Sequence, residues 1–460
     1  MRTTLIGGFA LPCLSVLLHG SAMAQGFIDD STLKLQLRNV YFNENFRDEN
    51  GLSARAAATA KSERTEWAQG VLLDFQSGYT QGTFSLGFDA LGLLGVKLDS
   101  GRGRSGTGLL PVHGDGRAAD ESTSLGLTAK ARFAQTVVKH GSLLPKTPVL
   151  VYNDARLVPQ TYQGTQLVSK DFDDWLLTAG QLDQFKLRDS TDSRSIIPDG
   201  YSGREGGDFT YAGADYTVSK QLRLSYFRGQ LDDFYSQDFF GLLHTLPLGA
   251  GVLTSDLRYF FSRDEGNHYS GKIDNGMFSG QLSFAVAGHT VAAGYQRLHG
   301  DGGLPYINGA TVYSFSNVGI GKFIEEDEKT WLASYGYDFK QLGLPGLSFM
   351  TRYINGSDGK SGPAGVNEWE RDIELAYVVP TGTLKGLGVK LRNYVYRSDT
   401  ARGRDSNRLY LTYDIALWSV AFDTGCRLGA DGRPMSNVYY QLRYRHRSCS
   451  TELALVKSTA

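Results

Sequence analysis

Basic side chains recur in this chain of 460 residues at even spacings, and that spacing bears directly on the chemistry they could share. Lys34 and Arg38 are four residues apart, Lys390 and Arg392 two apart, and Arg64 is an even step from Asp74. On a strand, even spacing puts side chains on one face. Arg352 falls on the face opposite Leu347 and Phe349, and Arg408 on the face opposite Leu409. Arg156 stands apart, in the run Arg-Leu-Val-Pro-Gln-Thr at 156–161, beside a proline that stiffens its turn. A guanidinium grips a carboxylate with two parallel hydrogen bonds. Several of them lining a narrow aqueous passage would attract small carboxylates and hand them from one site to the next. The same residues could instead form internal ion pairs with Asp74, Asp89, Glu374 and Asp414, and the spacing alone leaves both readings open.

Other chemistries find little support. His113, His140, His244, His268, His289, His299 and His446 lie mostly where loops or strand ends are expected, and no G-x-S-x-G segment accompanies them. A Ser-His-Asp triad is therefore not expected. The acidic run Glu325, Glu326, Asp327 and Glu328 reads as a solvated loop, without metal-ligand spacing. No catalytic residue, metal site or cofactor is expected. The net charge of −1 does not call for nucleic acid as a partner.

The elements that must carry the basic residues show a period of two. Leu33, Leu35 and Leu37 alternate with Lys34 and Gln36, and Val71, Leu73 and Phe75 flank Asp74. Phe84, Leu86 and Phe88 oppose Ser85 and Asp89, while Leu409, Leu411, Tyr413, Ile415 and Leu417 oppose Arg408, Thr412 and Asp414. Such strands have one apolar face, turned either to a soluble core or to lipid. With 56 Gly, 25 Tyr and 24 Phe against 12 Pro, the composition suits many strands and turns. No apolar run is long enough for a spanning helix. Aromatic residues cluster near expected strand ends, at Tyr41 and Phe42, Phe239 and Phe240, Phe260 and Phe261, and Tyr394 and Tyr396. Interfacial girdles of a membrane barrel have that look.

Short Gly-containing connections at 76–82 and 342–346 contrast with long polar stretches at 99–122, 188–207 and 300–329. Strands of about 10 residues joined alternately by short turns and long loops accommodate 16 or 18 strands, with roughly 20 residues in each long loop. The segment 131–170 holds Pro145, Pro148 and Pro159 and alternates weakly, so it is expected to fold inward as a constriction. Arg2, the apolar run from Leu5 to Leu18 and Ser-Ala-Met-Ala at 21–24 read as a signal peptide over 1–24. The barrel is then expected over 25–418, a segment without cysteine. Residues 419–460 carry Cys426 and Cys449 and the basic run Arg443, Tyr444, Arg445, His446 and Arg447, and are expected to be an appendage outside it.

Several segments together give a specific resemblance. They are Gly-Phe-Ile-Asp-Asp-Ser at 26–31, Leu-Arg-Asn-Val-Tyr-Phe-Asn at 37–43, Ser-Gly-Tyr-Thr-Gln-Gly-Thr at 77–83 and Gly-Thr-Gly-Leu-Leu-Pro-Val at 106–112. The run at 156–161, His-Gly-Asp at 299–301 and Tyr-Ile-Asn-Gly at 353–356 complete the set. In order and spacing the chain resembles the OprD family of outer-membrane porins. The resemblance implies an all-β, 18-stranded antiparallel transmembrane β-barrel in the outer membrane of a Gram-negative cell, surrounded by lipid and assembling as a weak homotrimer. It also implies a lumenal basic ladder for small carboxylate solutes, with Arg64, Arg156, Lys390, Arg392 and Arg408 at ladder positions. Side-chain parity adds Arg38 and Arg352 to the lumen.

Two departures thin the ladder. Glu44 stands where many members have a basic residue, and Ala376 where the basic-amino-acid porins have Lys. With no acidic pocket identified for a substrate's positive end, monocyclic or aromatic carboxylates are the expected substrates. The alternatives are a porin of the same fold selective for basic amino acids or peptides, and a barrel enzyme of the outer membrane.

Overall fold

The computed structural model describes residues 25–203 and 206–419. Within them eighteen antiparallel strands form a closed barrel, each pairing with its neighbour in sequence. The first strand, Thr32–Phe46, pairs with Glu63–Gln76 on one side and with the last, Arg404–Ser419, on the other. Closure removes the free edges that would otherwise leave backbone N–H and C=O groups bare in lipid. The expected signal peptide 1–24, and the expected appendage beyond its first residue, lie outside the described residues. Ser419 itself extends the last strand and pairs with Thr32.

The period of two sorts side chains as the sequence suggests. Leu73, Phe84, Leu86, Phe88, Leu125, Leu127, Val291, Leu391 and Leu411 are exposed on the outer wall. Most strand charges face inward, since Arg or Lys turned to the bilayer centre would cost about 2–4 kcal/mol. Arg371, which donates to Asn393, and the pair Arg228–Asp238 share the outer parity. Trp331, Tyr353 and Trp369 form part of an outer aromatic row across three adjacent strands, with ring centroids 5.4 and 5.9 Å apart. The expected aromatic pairs are corrected here. Tyr41 and Phe240 face outward, but Phe42, Phe239, Phe260, Tyr394 and Tyr396 are buried within the barrel, because neighbours on a strand point to opposite faces.

The turn at 77–83 and the segment at 26–31 pack together, and glycine makes this contact. Gly78 N–H donates to the Phe27 carbonyl over 2.9 Å, and a Cβ on Gly78 would stand 2.0 Å from the Gly26 carbonyl oxygen.

The inward-folding segment is shorter than 131–170. Residues 136–143 and 161–169 are wall strands, Thr136–Leu143 and Thr161–Ser169, so only the loop at 144–160 enters the lumen. The prolines had masked the alternation on either side of that loop. It is joined by segments that read as exposed polar loops. Val151 bridges to Thr311, and Pro198 to Ile307. Asn153 and Gln160 donate to the carbonyls of Gly309 and Asn308, each over 2.9 Å. From 101–120, Leu109 and Leu110 pack with Leu157, Val40, Phe42 and Ala68. These loops fold in because scattered apolar residues such as Leu109, Ile196, Ile307 and Val312 find burial against the inner wall.

Candidate functional site

The inner wall where the first and last strands meet carries most of the expected ladder residues, and the register brings them together. Arg408 is cross-strand from Phe42 on one side and from Arg392 on the other. Arg392 is in turn opposite Glu374, and Lys390 opposite Ala376. One strand further, Arg352 faces Asp372. Arg64 faces Glu44, while Arg38 lies opposite Thr412 and Gly70.

The side chains divide into two groups. Arg38 makes a two-pronged ion pair with Asp154 of the inward loop, one bond being 2.9 Å. Arg64 pairs with Glu44 and donates to the Gly106 carbonyl over 2.8 Å. Arg352 donates to Asp372 through Nε and Nη2, at 3.0 and 2.8 Å. Arg392 donates to Glu374 over 2.5 Å, and Lys390 stands 3.6 Å from the same carboxylate. These residues are largely neutralised by the protein.

Arg156 and Arg408 are not. Their guanidinium carbons stand 4.7 and 4.4 Å from the centroid of the same Phe42 ring, and Arg408 is also 4.4 Å from the Tyr394 ring. A ring face attracts a cation without neutralising it. Arg156 donates to the carbonyls of Thr107 and Ala155, each over 3.1 Å, and Arg408 to the Ser406 hydroxyl over 3.1 Å. Neither makes a salt bridge to a described residue. Burial above all, then the charges of Arg408 and Arg188, works against the charged form of Arg156. An arginine nonetheless stays protonated, so the cost of burying its charge is borne by the folded protein.

Sequence reasoning missed Arg188, which lies just beyond the strand Trp175–Lys186 and donates to the Asn153 side chain over 2.8 Å. It too forms no salt bridge with a described residue. Its only signal was a basic residue at the end of an alternating strand, and the fold of its loop decides where it points. Also missed was an acidic column on Ala364–Val378, where Glu368, Glu370 and Asp372 are buried on the face of Glu374. Its members are buried and only partly satisfied: Glu370 Oε1 and Asp372 Oδ1 have no hydrogen-bond partner among the described residues. Glu368 accepts from the Tyr396 hydroxyl, and Glu370 accepts from the backbone N–H groups of Ile320 and Gly321 at 2.8 and 2.6 Å. Asp372 and Glu374 hold the arginines already described.

The arrangement is a constricted passage in which Arg156, Arg188 and Arg408 form no salt bridge with a described residue. A family model described as outer membrane porin, OprD family, matches residues 25–417. The porin-like protein GalP of Pseudomonas putida is 36% identical over 400 residues, covering 86% of this chain and 94% of GalP. The crystal structure of Pseudomonas aeruginosa OccK9 (OpdG) superposes with a TM-score of 0.82 at 40% identity, over 85% of this chain and 100% of that one. That of Pseudomonas aeruginosa OpdK with vanillate gives 0.79 at 38% identity, again over 85% and 100%.

Proposed function

The chain belongs to the OprD family of outer-membrane porins, and from that premise we propose that it passes small carboxylate-bearing solutes, preferring monocyclic or aromatic ones, by passive diffusion along its lumenal basic residues. Arg156 and Arg408 are the central binding residues, with Arg64, Lys390 and Arg392 continuing the ladder and Arg38 and Arg352 at its flanks. The observation that carries this reading is the pair Arg156 and Arg408 on the Phe42 ring, both without a carboxylate partner. Guanidinium groups beside aromatic faces suit an aromatic acid, whose carboxylate and ring meet different partners. OpdK, a structural relative, was solved with vanillate.

A channel for basic amino acids would also need a free acidic group for the ammonium end. Asp372 and Glu374 are held by arginines, and Glu368 and Glu370, though paired with no described cation, are buried beneath the 302–328 loop and out of a solute's reach, which favours the simple acid. The channel needs no cofactor and no catalytic step, and we take it to assemble as a weak homotrimer.

Planar-bilayer conductance separates a porin from an adhesion barrel or an enzyme. Competition among benzoate, arginine and a neutral sugar in liposome uptake then tests the substrate class. Benzoate should compete most strongly, and stronger competition by arginine would reverse the choice.

A further inference from the structure

Arg156, Arg188 and Arg408 belong to one station. Arg156 and Arg408 share the Phe42 ring, at 4.7 and 4.4 Å. Arg188 reaches the same spot through the inward loop: its Nη1 donates to Asn153 Oδ1, the atom that also accepts the Ala155 N–H over 3.0 Å, and Ala155 supplies the carbonyl that takes Arg156 Nη1. Two of the nearby carboxylates are spent. Asp154 is held by Arg38 and Glu44 by Arg64. Asp189 remains; a Cβ on Gly108 would lie 3.9 Å from its Oδ2 and 3.8 Å from Arg156 Nε, which puts it at the edge of the station without an ion pair to any of the three. The Tyr410 hydroxyl is buried there with no hydrogen-bond partner.

Glu66, buried opposite Phe42 and paired with no described cation, also belongs to the count, as does Lys186, which faces Asp189. Four cations against Asp189 and Glu66 leave two positive charges uncompensated. A single carboxylate neutralises one of them. We propose that this station is matched to a dianion, so that the channel takes dicarboxylates of small aromatic or cyclic acids in preference to the corresponding monocarboxylates. One carboxylate sits on Arg156 and Arg408 beside Phe42, and the second meets Arg188, within reach of the Tyr410 hydroxyl. The inference rests on the carboxylate reading above and narrows it.

The test is half-maximal block of the full-length channel in planar bilayers at neutral pH, comparing benzoate with benzene-1,2-dicarboxylate. One further charge-assisted hydrogen-bonded contact corresponds to a preference of about tenfold or more for the dicarboxylate. Raising salt from about 0.1 to 1 M, which shortens the screening length from about 10 to 3 Å, should shrink that preference. Arg188→Gln should bring the two half-block concentrations close together, and Arg188→Lys, which keeps the charge, should retain part of the difference. The conductance of each variant shows that it has assembled. Block by benzoate with no preference for the dicarboxylate, or a preference that survives Arg188→Gln intact, overturns this inference and leaves the carboxylate reading standing. Indifference to both anions removes the carboxylate reading itself, and this inference with it.

Discussion

At the scale of single residues, partnering decides function more than charge does. Arg352 and Arg408 carry the same group on the same inner wall, yet Arg352 is bound to Asp372 while Arg408 lies between Phe42 and Tyr394 with no acid. Removing Arg408 therefore takes away a group with no competing internal partner. Arg408→Ala should reduce benzoate flux about tenfold or more, the equivalent of a charge-assisted hydrogen bond. Arg392→Ala should cost less, because Arg392 already spends part of its donor capacity on Glu374. Liposome uptake of labelled benzoate, with arginine uptake measured alongside, checks both. Unchanged benzoate flux in assembled Arg408→Ala channels would remove this residue from the ladder.

At the scale of elements, the inward loops are held to the wall by buried polar groups. The 302–328 loop is fixed by Glu370 accepting two of its backbone N–H groups, and by Arg258 packed 3.9 Å from Tyr313 and 3.8 Å from Phe315. Glu328 closes the loop. Its Oε1 occupies the space where a Cβ on Gly356 would be only 2.0 Å away, and Gly356 pairs across the sheet with Glu368. Burial first, then the neighbouring Glu368, raises the Glu328 carboxyl far above its ordinary range. A carboxyl whose folded value lies above its unfolded one is bound as the neutral acid in the folded state. The resulting hold is complete below the unfolded value of about 4.3 and weakens as pH rises through the folded value. Hydrogen exchange of the 319–328 amides should accordingly quicken between mildly acidic and alkaline pH by more than the intrinsic rate, and channel closures should become more frequent. Glu328→Gln, permanently neutral, should flatten that dependence. Retention of the original slope would assign the effect to another group.

At the scale of the whole molecule, the barrel needs an uninterrupted apolar exterior and a closing seam. Leu411 lies on the outer face of the last strand, exposed like Leu391. Leu411→Arg should destabilise the assembled barrel by about 2–4 kcal/mol if it lies near mid-membrane, less toward either interface, which urea unfolding in lipid vesicles would measure. The seam itself ends with Leu33 opposite Trp418 and Thr32 opposite Ser419. A chain ended after Trp418 loses only the last of these pairs, so it should still migrate as a heat-modifiable barrel with full conductance. Failure to assemble would show that 419–460 contributes to the fold.

The alternation of apolar and polar residues by itself determined the strands, and, once the family resemblance turns their apolar face to lipid, the facing of most of their charges, because a period of two and the cost of charge in lipid leave each strand one workable orientation. Lys34, Arg38, Arg64, Arg352, Lys390, Arg392 and Arg408 could thus be assigned to the lumen from parity alone. Parity could not say which of them are neutralised. Glu44 comes to Arg64 from the neighbouring strand, but Asp154 comes to Arg38 from a loop 116 residues away in sequence. Loops have no period to read, so the inward course of 101–120, 144–160 and 302–328, and with it the placing of Arg156 and Arg188, was decided only by tertiary packing. Their scattered apolar side chains gain burial against the inner wall, and that burial brings together the unpaired guanidinium groups of the constriction.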